Sequence, residues 1–542
     1  MRGLLCHNDR VLGQVAFVLA MVAVVIAARL VADRVNVPYT IVLTVCGLIY
    51  AGLPGPNLTL DPHLVLVLII PPLLYSAARR SSLLAIRANW RPIASMSVVL
   101  VLITTFAVAA LASLVTPEIS FAAGAVLGAA VAPPDPVAAL SIGSRAGLPP
   151  RMIALIGGEG LLNDATALTT LQVAIAATVG GGFSLAFAAG KFVLVSVGGL
   201  AVGLAIGYIL RLGRHLLRDP LVANTASLAT PFLAYLAGEE AHVSGVLAVV
   251  IAGLMAGHDP PSGESGASRL QTSAVWQLID FLLEGLVFLL IGQQLPAVLR
   301  GIGDESPGRT AAAVAVTLAA VLVVRPLWLF LTQIVPGWFG WRLGDYAPTL
   351  NGREVTALTW AGTRGVITLA AIFTVPTMLN NGRPFPDRDL LLLCAYMVVL
   401  VTLVGQGLTF GPLLRRLGLR ANAAEAIGVR NDARLASLAA AAEAVDDMQV
   451  EDGLAPPIAD SLRRGLRQRQ ERLRARIALL EESDADDGWS PELKQTVRAQ
   501  HELIAAQRDE LVRWRDSGRL SDESMRQLQR ELDHEERMLP GQ

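Results

Sequence analysis

The chain has 542 residues, of which 53% are hydrophobic and 16% charged, with a formal net charge of −1. This composition excludes an ordinary soluble globular protein over most of the length, and it offers no bulk positive charge to a nucleic-acid partner. The cysteines, Cys6, Cys46 and Cys394, are odd in number and far apart, which argues against a disulfide framework or a cysteine-based zinc site.

Val11 to Val31 is long enough to cross a bilayer and further apolar segments follow it, so it reads as a first anchor rather than a removable signal peptide. Apolar runs of roughly 17 to 28 residues recur to about Leu414, each bounded by Arg, Pro or Gly, as expected where a helix needs ~20 residues to cross. They centre near Met21, Val45, Ile69, Val101, Leu127, Leu162, Val197, Leu228, Val249, Leu286, Leu322, Val366 and Met397. The fold class expected is an all-α membrane protein with about thirteen transmembrane helices.

Arginine marks alternate connections: Arg79, Arg80, Arg87 and Arg91, then Arg145 and Arg151, then Arg211, Arg214 and Arg218, and finally Arg415, Arg416 and Arg420. The connections between them carry Asp61, Glu118, Glu239 and Glu240. Positive residues are retained in the cytoplasm, so the pattern predicts an outside N-terminus, an odd number of spans and a cytoplasmic tail. Arg300 to Arg309 and Arg383 to Arg388 depart from it. Lys191 reads as a snorkelling side chain, and His63, His215, His242 and His258 as interfacial histidines. Gly180 to Gly182 read as an outer connection, with no strand or nucleotide motif beside them.

Two spans are interrupted. In Ala132 to Val137, APPDPV, prolines at 133, 134 and 136 preclude an unbroken helix, and Trp360 to Gly365, WAGTRG, breaks the twelfth span. Corresponding breaks in two halves point to an inverted-repeat transporter with its site near the midplane. Between the breaks, Gly157 to Thr166, GGEGLLNDAT, places Glu159, Asn163 and Asp164 inside a span. An intramembrane acid is a functional hypothesis by default. Entering near Met152, the helix carries Asp164 roughly 18 Å into an apolar core about 30 Å thick. Gly160, Asn163 and Asp164 share a face. A carboxylate there can be neutralised by an alkali cation or by a proton, and that exclusivity is a mechanism for exchange. Asp135 either caps the opposed half-helix ends or helps to coordinate a hydrated cation, beside backbone carbonyls that the prolines leave free.

After Arg420 the composition turns to Ala, Glu, Arg, Gln and Asp, dividing the chain into a membrane domain, residues 1–420, and a soluble helical tail, residues 421–542, with a regulatory or assembly role. Asn431 to Asp447 and Ile458 to Glu482 read as helices. Ser490 and Pro491 form a helix start, and Gln495 to Asp516 with Ser521 to Met538 read as a hairpin. Leu503, Ala506, Leu511 and Trp514 supply its expected apolar stripe.

Five stretches together resemble the sodium/proton exchangers of the cation/proton antiporter superfamily: IIPPLLYSAA from Ile69, DPVAAL from Asp135, GEGLLNDATAL from Gly158, EGLVFLLIG from Glu284 and WAGTRGVITLA from Trp360. The resemblance covers about Val11 to Arg416. It implies a homodimer whose six-helix core holds crossed, partly unwound fifth and twelfth spans, with Asp164 as the cation and proton carboxylate, Asn163 orienting it and Asp135 supporting it. It also suggests a structural charge pair, Glu159 with Arg364, and that Glu284 and Arg325 either pair or brace the core. An Asn-Asp pair resembles the electroneutral branch. Three positions depart from the pattern: Ser76 stands where many relatives have an acid, Pro134 where Thr is usual and Gly160 where Ser is frequent. Each removes a possible oxygen ligand, leaving a hydroxyl at Ser76 and backbone carbonyls at Gly160 and Pro134 as auxiliary donors.

The expected function is secondary antiport of a monovalent cation, Na+ first, against protons across the plasma membrane, serving pH and sodium homeostasis. No enzymatic chemistry is expected, and no cofactor beyond the transported Na+, K+ or Li+ and H+. Membrane lipid and a second copy of the chain are the expected partners, and nucleic acid is not. K+/H+ exchange, a cation channel built on the same acids and a transport-derived sensor are the alternatives.

Overall fold

The computed structural model describes residues 2–35, 37–53, 65–180, 185–213, 219–258, 266–303, 306–334, 350–380, 382–419, 423–451, 453–481, 491–517 and 519–537. The chain divides into two compact units, Met1–Arg420 and Ala421–Gln542. Asp61, His63, Arg214, His215, Arg218 and the Ser490 cap lie outside the described residues, as do Gly181 and Gly182.

The first unit is a bundle of helices: α1 (Arg2–Val35), α2 (Tyr39–Ala51), α3 (Ile70–Arg80), α4 (Leu83–Ala88), α5 (Trp90–Val115), α6 (Phe121–Val131), α7 (Pro136–Ala146) and α8 (Pro150–Gly180). It continues with α9 (Leu185–Gly213), α10 (Pro220–Glu240), α11 (Gly245–His258), α12 (Gly266–Gly301), α13 (Pro307–Leu329), α14 (Gly352–Trp360), α15 (Val366–Phe373) and α16 (Arg388–Leu417). Seven apolar segments among the described residues are long enough to cross a membrane by length and composition. Every predicted span centre lies in a helical segment, Ile69 closing a π turn that leads into α3. The protein is an all-α, multi-pass membrane protein, and about thirteen spans fit its helices.

The fifth and twelfth spans are each two short helices, as the prolines and glycines dictate. Pro136 occupies the first position of α7, where its missing N–H costs nothing, and Asp135 is the cap. Gly147, at φ 73°, closes α7 in a left-handed conformation that suits glycine. A capping box of Asn351 and Glu354 starts α14. Further π turns lie at Ser95–Val99 in α5 and Thr402–Gln406 in α16: Ser97 donates to the Glu159 carbonyl of α8 at 3.1 Å, and Thr402 accepts from the Arg364 amide in the second break at 3.0 Å.

Small residues bring the helices together, as expected where lipid offers no hydrophobic drive between spans. A Cβ added at Gly47 of α2 would strike the Leu289 carbonyl of α12, and one at Gly292 of α12 would strike the Thr44 carbonyl of α2. Gly199, Gly203 and Gly207, spaced by four, lay α9 against α11 in the same way. The opposite face of α9 exposes Leu194, Val197, Leu204 and Tyr208, side chains that a water-soluble fold would cover.

The two arginine-bearing connections that depart from charge alternation are tied to acids. Arg309 binds Asp387 at 2.7 Å and lies 3.6 Å from Glu118, and Arg388 lies 3.7 Å from Asp389. Lys191 is half-buried, and His242 takes a left-handed φ of 55° in the turn after α10.

The second unit comprises α17 (Ala423–Glu451), α18 (Pro456–Glu481), α19 (Pro491–Asp516) and α20 (Asp522–Arg537). Val445 and Ala459 are buried and Arg463 joins Asp446 at 2.6 Å, pairing α17 with α18. In the hairpin of α19 and α20 the buried residues, among those described, are Ile504 and Met525, whereas Leu503 and Trp514 of the expected stripe are 65% and 47% exposed. The packed face is rotated by about one residue. On the packed face Arg508, two-thirds covered, reaches Glu536 at 2.6 Å.

Candidate cation site

The interrupted spans are bonded directly to each other. Past Val131 the backbone leaves α6, and the Asp135 amide donates to the Thr363 carbonyl at 2.6 Å while the Thr363 hydroxyl donates to the Asp135 carbonyl at 2.9 Å. Polar backbone at this depth is tolerable because each break satisfies the other. The Asp135 carboxylate accepts from the Val137 amide at 2.9 Å and faces the amide of Val366, so it stands between the N-termini of α7 and α15. The approach is so close that any Cβ at Gly365 would run into this carboxylate. Both alternatives left open for Asp135 are compatible with its place: it caps a half-helix, and it lines the cavity described below.

On α8, the Asn163 amide group donates to the Pro134 carbonyl at 2.8 Å, and its Oδ1 is buried without a partner. Asn163 thereby locks α8 to the first break. Asp164 is 4% exposed and, among the described residues, no side chain or amide donates to it. Gly160 packs on the Pro136 ring, and a Cβ there would overlap it. A serine at 160 would require the Pro136 ring, and with it the start of α7, to shift.

A cavity of about 790 Å³ joins these groups. Asp135, Gly160, Asp164 and Gly365 line it, together with Tyr39, Asp280, Glu284 and Phe288 from α2 and α12. It extends past Ser82, Ala85, Ser144 and Pro150, at the helix ends that carry Arg80, Arg87, Arg145 and Arg151. In the other direction Val126, Leu127, Leu168 and Leu171 are buried. The site is therefore connected to the arginine-rich end.

The expected charge pairings are corrected. Glu159 is bound by Arg325, not Arg364: Arg325 Nη2 lies 2.9 Å from Oε2, Nη1 contacts Oε1, and both side chains are under 5% exposed. Arg364 instead donates to the Val131 carbonyl at 2.7 Å and to the Gly362 carbonyl. It lies in the unwound segment, where freed carbonyls satisfy the guanidinium. Glu284, left without Arg325, accepts from the Tyr39 hydroxyl. Ser76 is 1% exposed and does not reach the cavity wall; its hydroxyl donates to Asp280 at 2.6 Å, and Arg80 contacts the same oxygen. Asp280 and Tyr39 escape a reading that starts from the Asn-Asp pair. The signal for Asp280 was its spacing, four residues before Glu284 within one span.

Residues 19–416 match the family model for the transmembrane sodium/hydrogen exchangers. The uncharacterized Na+/H+ exchanger Rv2287 of Mycobacterium tuberculosis is 31% identical over 96% of this chain and 95% of its own length. A sodium, potassium, lithium and rubidium/H+ antiporter of Bacillus subtilis is 33% identical over 68% of this chain and 56% of its own. The solved sodium proton antiporter MjNhaP1 of Methanocaldococcus jannaschii shares the fold at a TM-score of 0.60 and 18% identity, covering 74% of this chain and 98% of its own. The crossed breaks, the buried acid on the cavity wall and the family match agree: the chain belongs to the sodium/hydrogen exchanger family of cation/proton antiporters.

Proposed function

We propose that the protein exchanges Na+ for H+ one for one by alternating access, with Asp164 as the carboxylate that holds either ion. The observation that carries this reading is Asp164 itself: 4% exposed, on the cavity wall and beside two unwound segments. Bare, it is a charge that the membrane interior penalises; loaded with Na+ or a proton, it is neutral. Movement of the site is then favoured only when it is loaded, which couples the two fluxes.

Asn163 supports electroneutrality, because it is uncharged and its amide is committed to the Pro134 carbonyl, leaving one ionisable group in the pair. Asp135 holds the two half-helix ends and supports the site through them. Carbonyls of the breaks and water complete the oxygen shell of the cation, in place of the side chains missing at Gly160 and Pro134. Glu159 and Arg325 brace the core without touching the transported ion.

With the arginine-rich ends in the cytoplasm, the N-terminus lies outside, the tail inside, and the cavity faces the cytoplasm. The place of action is the plasma membrane, in pH and sodium homeostasis, as a homodimer embedded in lipid, with residues 421–542 as a regulatory or assembly unit. The Bacillus subtilis relative, named for sodium, potassium, lithium and rubidium, supports K+ and Li+ as further substrates.

The test is proton flux in proteoliposomes on addition of Na+, Li+ or K+, with the membrane potential clamped or free. Exchange that depends on the cation and is indifferent to the clamp is expected. Current beyond coupled turnover would identify a channel, and absence of cation-driven flux in a folded protein would leave the sensor.

A further inference from the structure

The cavity that Asp164 lines also carries two acids, from α12, that take no part in the proposed exchange. Asp280 and Glu284 are one turn apart on α12 and both line the cavity. Glu284 accepts from the Tyr39 hydroxyl. Asp280 is 6% exposed; its Oδ2 accepts from Ser76 and Arg80, whereas its Oδ1 is buried without a partner. A buried acceptor left unsatisfied is costly, and more so when charged. The cavity beside it can admit what would satisfy it, a small cation that prefers oxygen ligands.

Arg80 differs from these groups. It ends α3, its side chain is 55% exposed, and it lays its guanidinium on Asp280 from the arginine-rich end. A long cationic arm with access to water regains its own hydration on withdrawal, and what its departure strands is the buried Asp280 carboxylate, which an entering cation neutralises in its place. It behaves as a tethered cation standing on a carboxylate.

We propose that Asp280, with Ser76 behind it and Glu284 one turn away, forms a second monovalent-cation site on the approach to Asp164, for which the Arg80 guanidinium is the resident competitor. An entering alkali ion lies against Asp280 Oδ1 and Glu284 while Arg80 swings to water, so one positive charge replaces another. The site sets how readily a cation reaches Asp164, and it leaves the exchange step to Asp164. This proposal rests on the reading of Asp164 as the exchanging group.

The test is the apparent KM for Na+ and Li+ of the full-length protein in proteoliposomes. Arg80→Gln, at an exposed helix end, is expected to lower KM about fivefold, and Asp280→Asn to raise it about fivefold with a smaller fall in maximal rate. The double variant is expected to match Asp280→Asn alone, because the arginine then has no carboxylate to occupy. A merely structural pair would instead raise KM or lower the maximal rate in Arg80→Gln. If Asp280→Asn does not fold, Arg80→Gln decides alone: a KM at or above the wild-type value overturns the second site. Asp164→Asn, measured alongside, separates the two readings. Its inactivity with an unmoved Arg80→Gln sinks only the second site, and its wild-type activity sinks the exchange reading.

Discussion

Glu159→Gln is the perturbation whose consequence the geometry fixes most closely. It keeps the side-chain volume and removes one charge from a pair in which Arg325 and Glu159 are 4% and 2% exposed, so solvent screening gives no relief. Removing one partner of a buried pair costs about 3–5 kcal/mol, because the other charge is stranded. Arg325 keeps two bonds to the Leu358 carbonyl, at 3.1 and 2.9 Å, which places the loss near the lower end. A loss of about 3 kcal/mol is expected. Arg325→Met strands Glu159 and is expected to cost at least as much. The double variant removes both charges, and its loss is expected to fall about 2 kcal/mol short of the sum of the single losses. The assay is an equilibrium denaturant titration of the purified protein in micelles, followed by tryptophan fluorescence; Trp328, on α13 with Arg325, donates to Ser95 at 3.1 Å and reports this region. Single losses that add to within about 0.5 kcal/mol in the double variant would refute the pairing.

Gly365→Ala places a methyl group on the Asp135 carboxylate and is expected to reduce exchange at least tenfold with insertion intact; flux within about twofold of wild type would mean the crossing is loose. Truncation after Arg420 is expected to retain cation-driven proton flux and to alter stability or pH response, since the two units are separately compact. Complete loss of flux in a folded, inserted truncation would contradict this. In the tail, the bond from Arg508 holds the Glu536 carboxyl below its ordinary value of 4.5. The folded pKa is depressed, so this contribution to hairpin stability is full above that ordinary value and is lost as pH falls through the folded one. Arg508→Ala is expected to flatten the acid side of the tail's helix-melting profile; an unchanged profile would show that Glu536 is not coupled to folding.

Local chemistry made the breaks and the buried acid on the cavity wall legible in the sequence. Prolines at 133, 134 and 136 can only interrupt a helix, and an Asn-Asp pair deep in a span has few bland explanations. Charge partners were not legible, because which arginine meets Glu159 depends on the rotation of α13 and on the carbonyls that the unwound segment offers Arg364. Asp280 was hidden for the same reason: its bond to Ser76 joins helices 204 residues apart. In the tail, adjacent Leu503 and Ile504 both suit an apolar stripe, and the choice between them depends on contacts across the hairpin, such as those of Arg508 and His501 with Glu536. Gly160 changed meaning. In the sequence it marked a lost ligand, and in the fold it is the space that lets Pro136 of α7 lie against α8.

The central claim is that a single carboxylate carries both ions, and the most direct measurement is proton flux in proteoliposomes driven by a Na+ gradient, comparing wild type with Asp164→Asn. Asparagine keeps the size and removes the titration, so the variant is expected to insert, fold and exchange at less than about a hundredth of the wild-type rate. A folded Asp164→Asn protein that exchanges Na+ for protons at the wild-type rate would contradict the account.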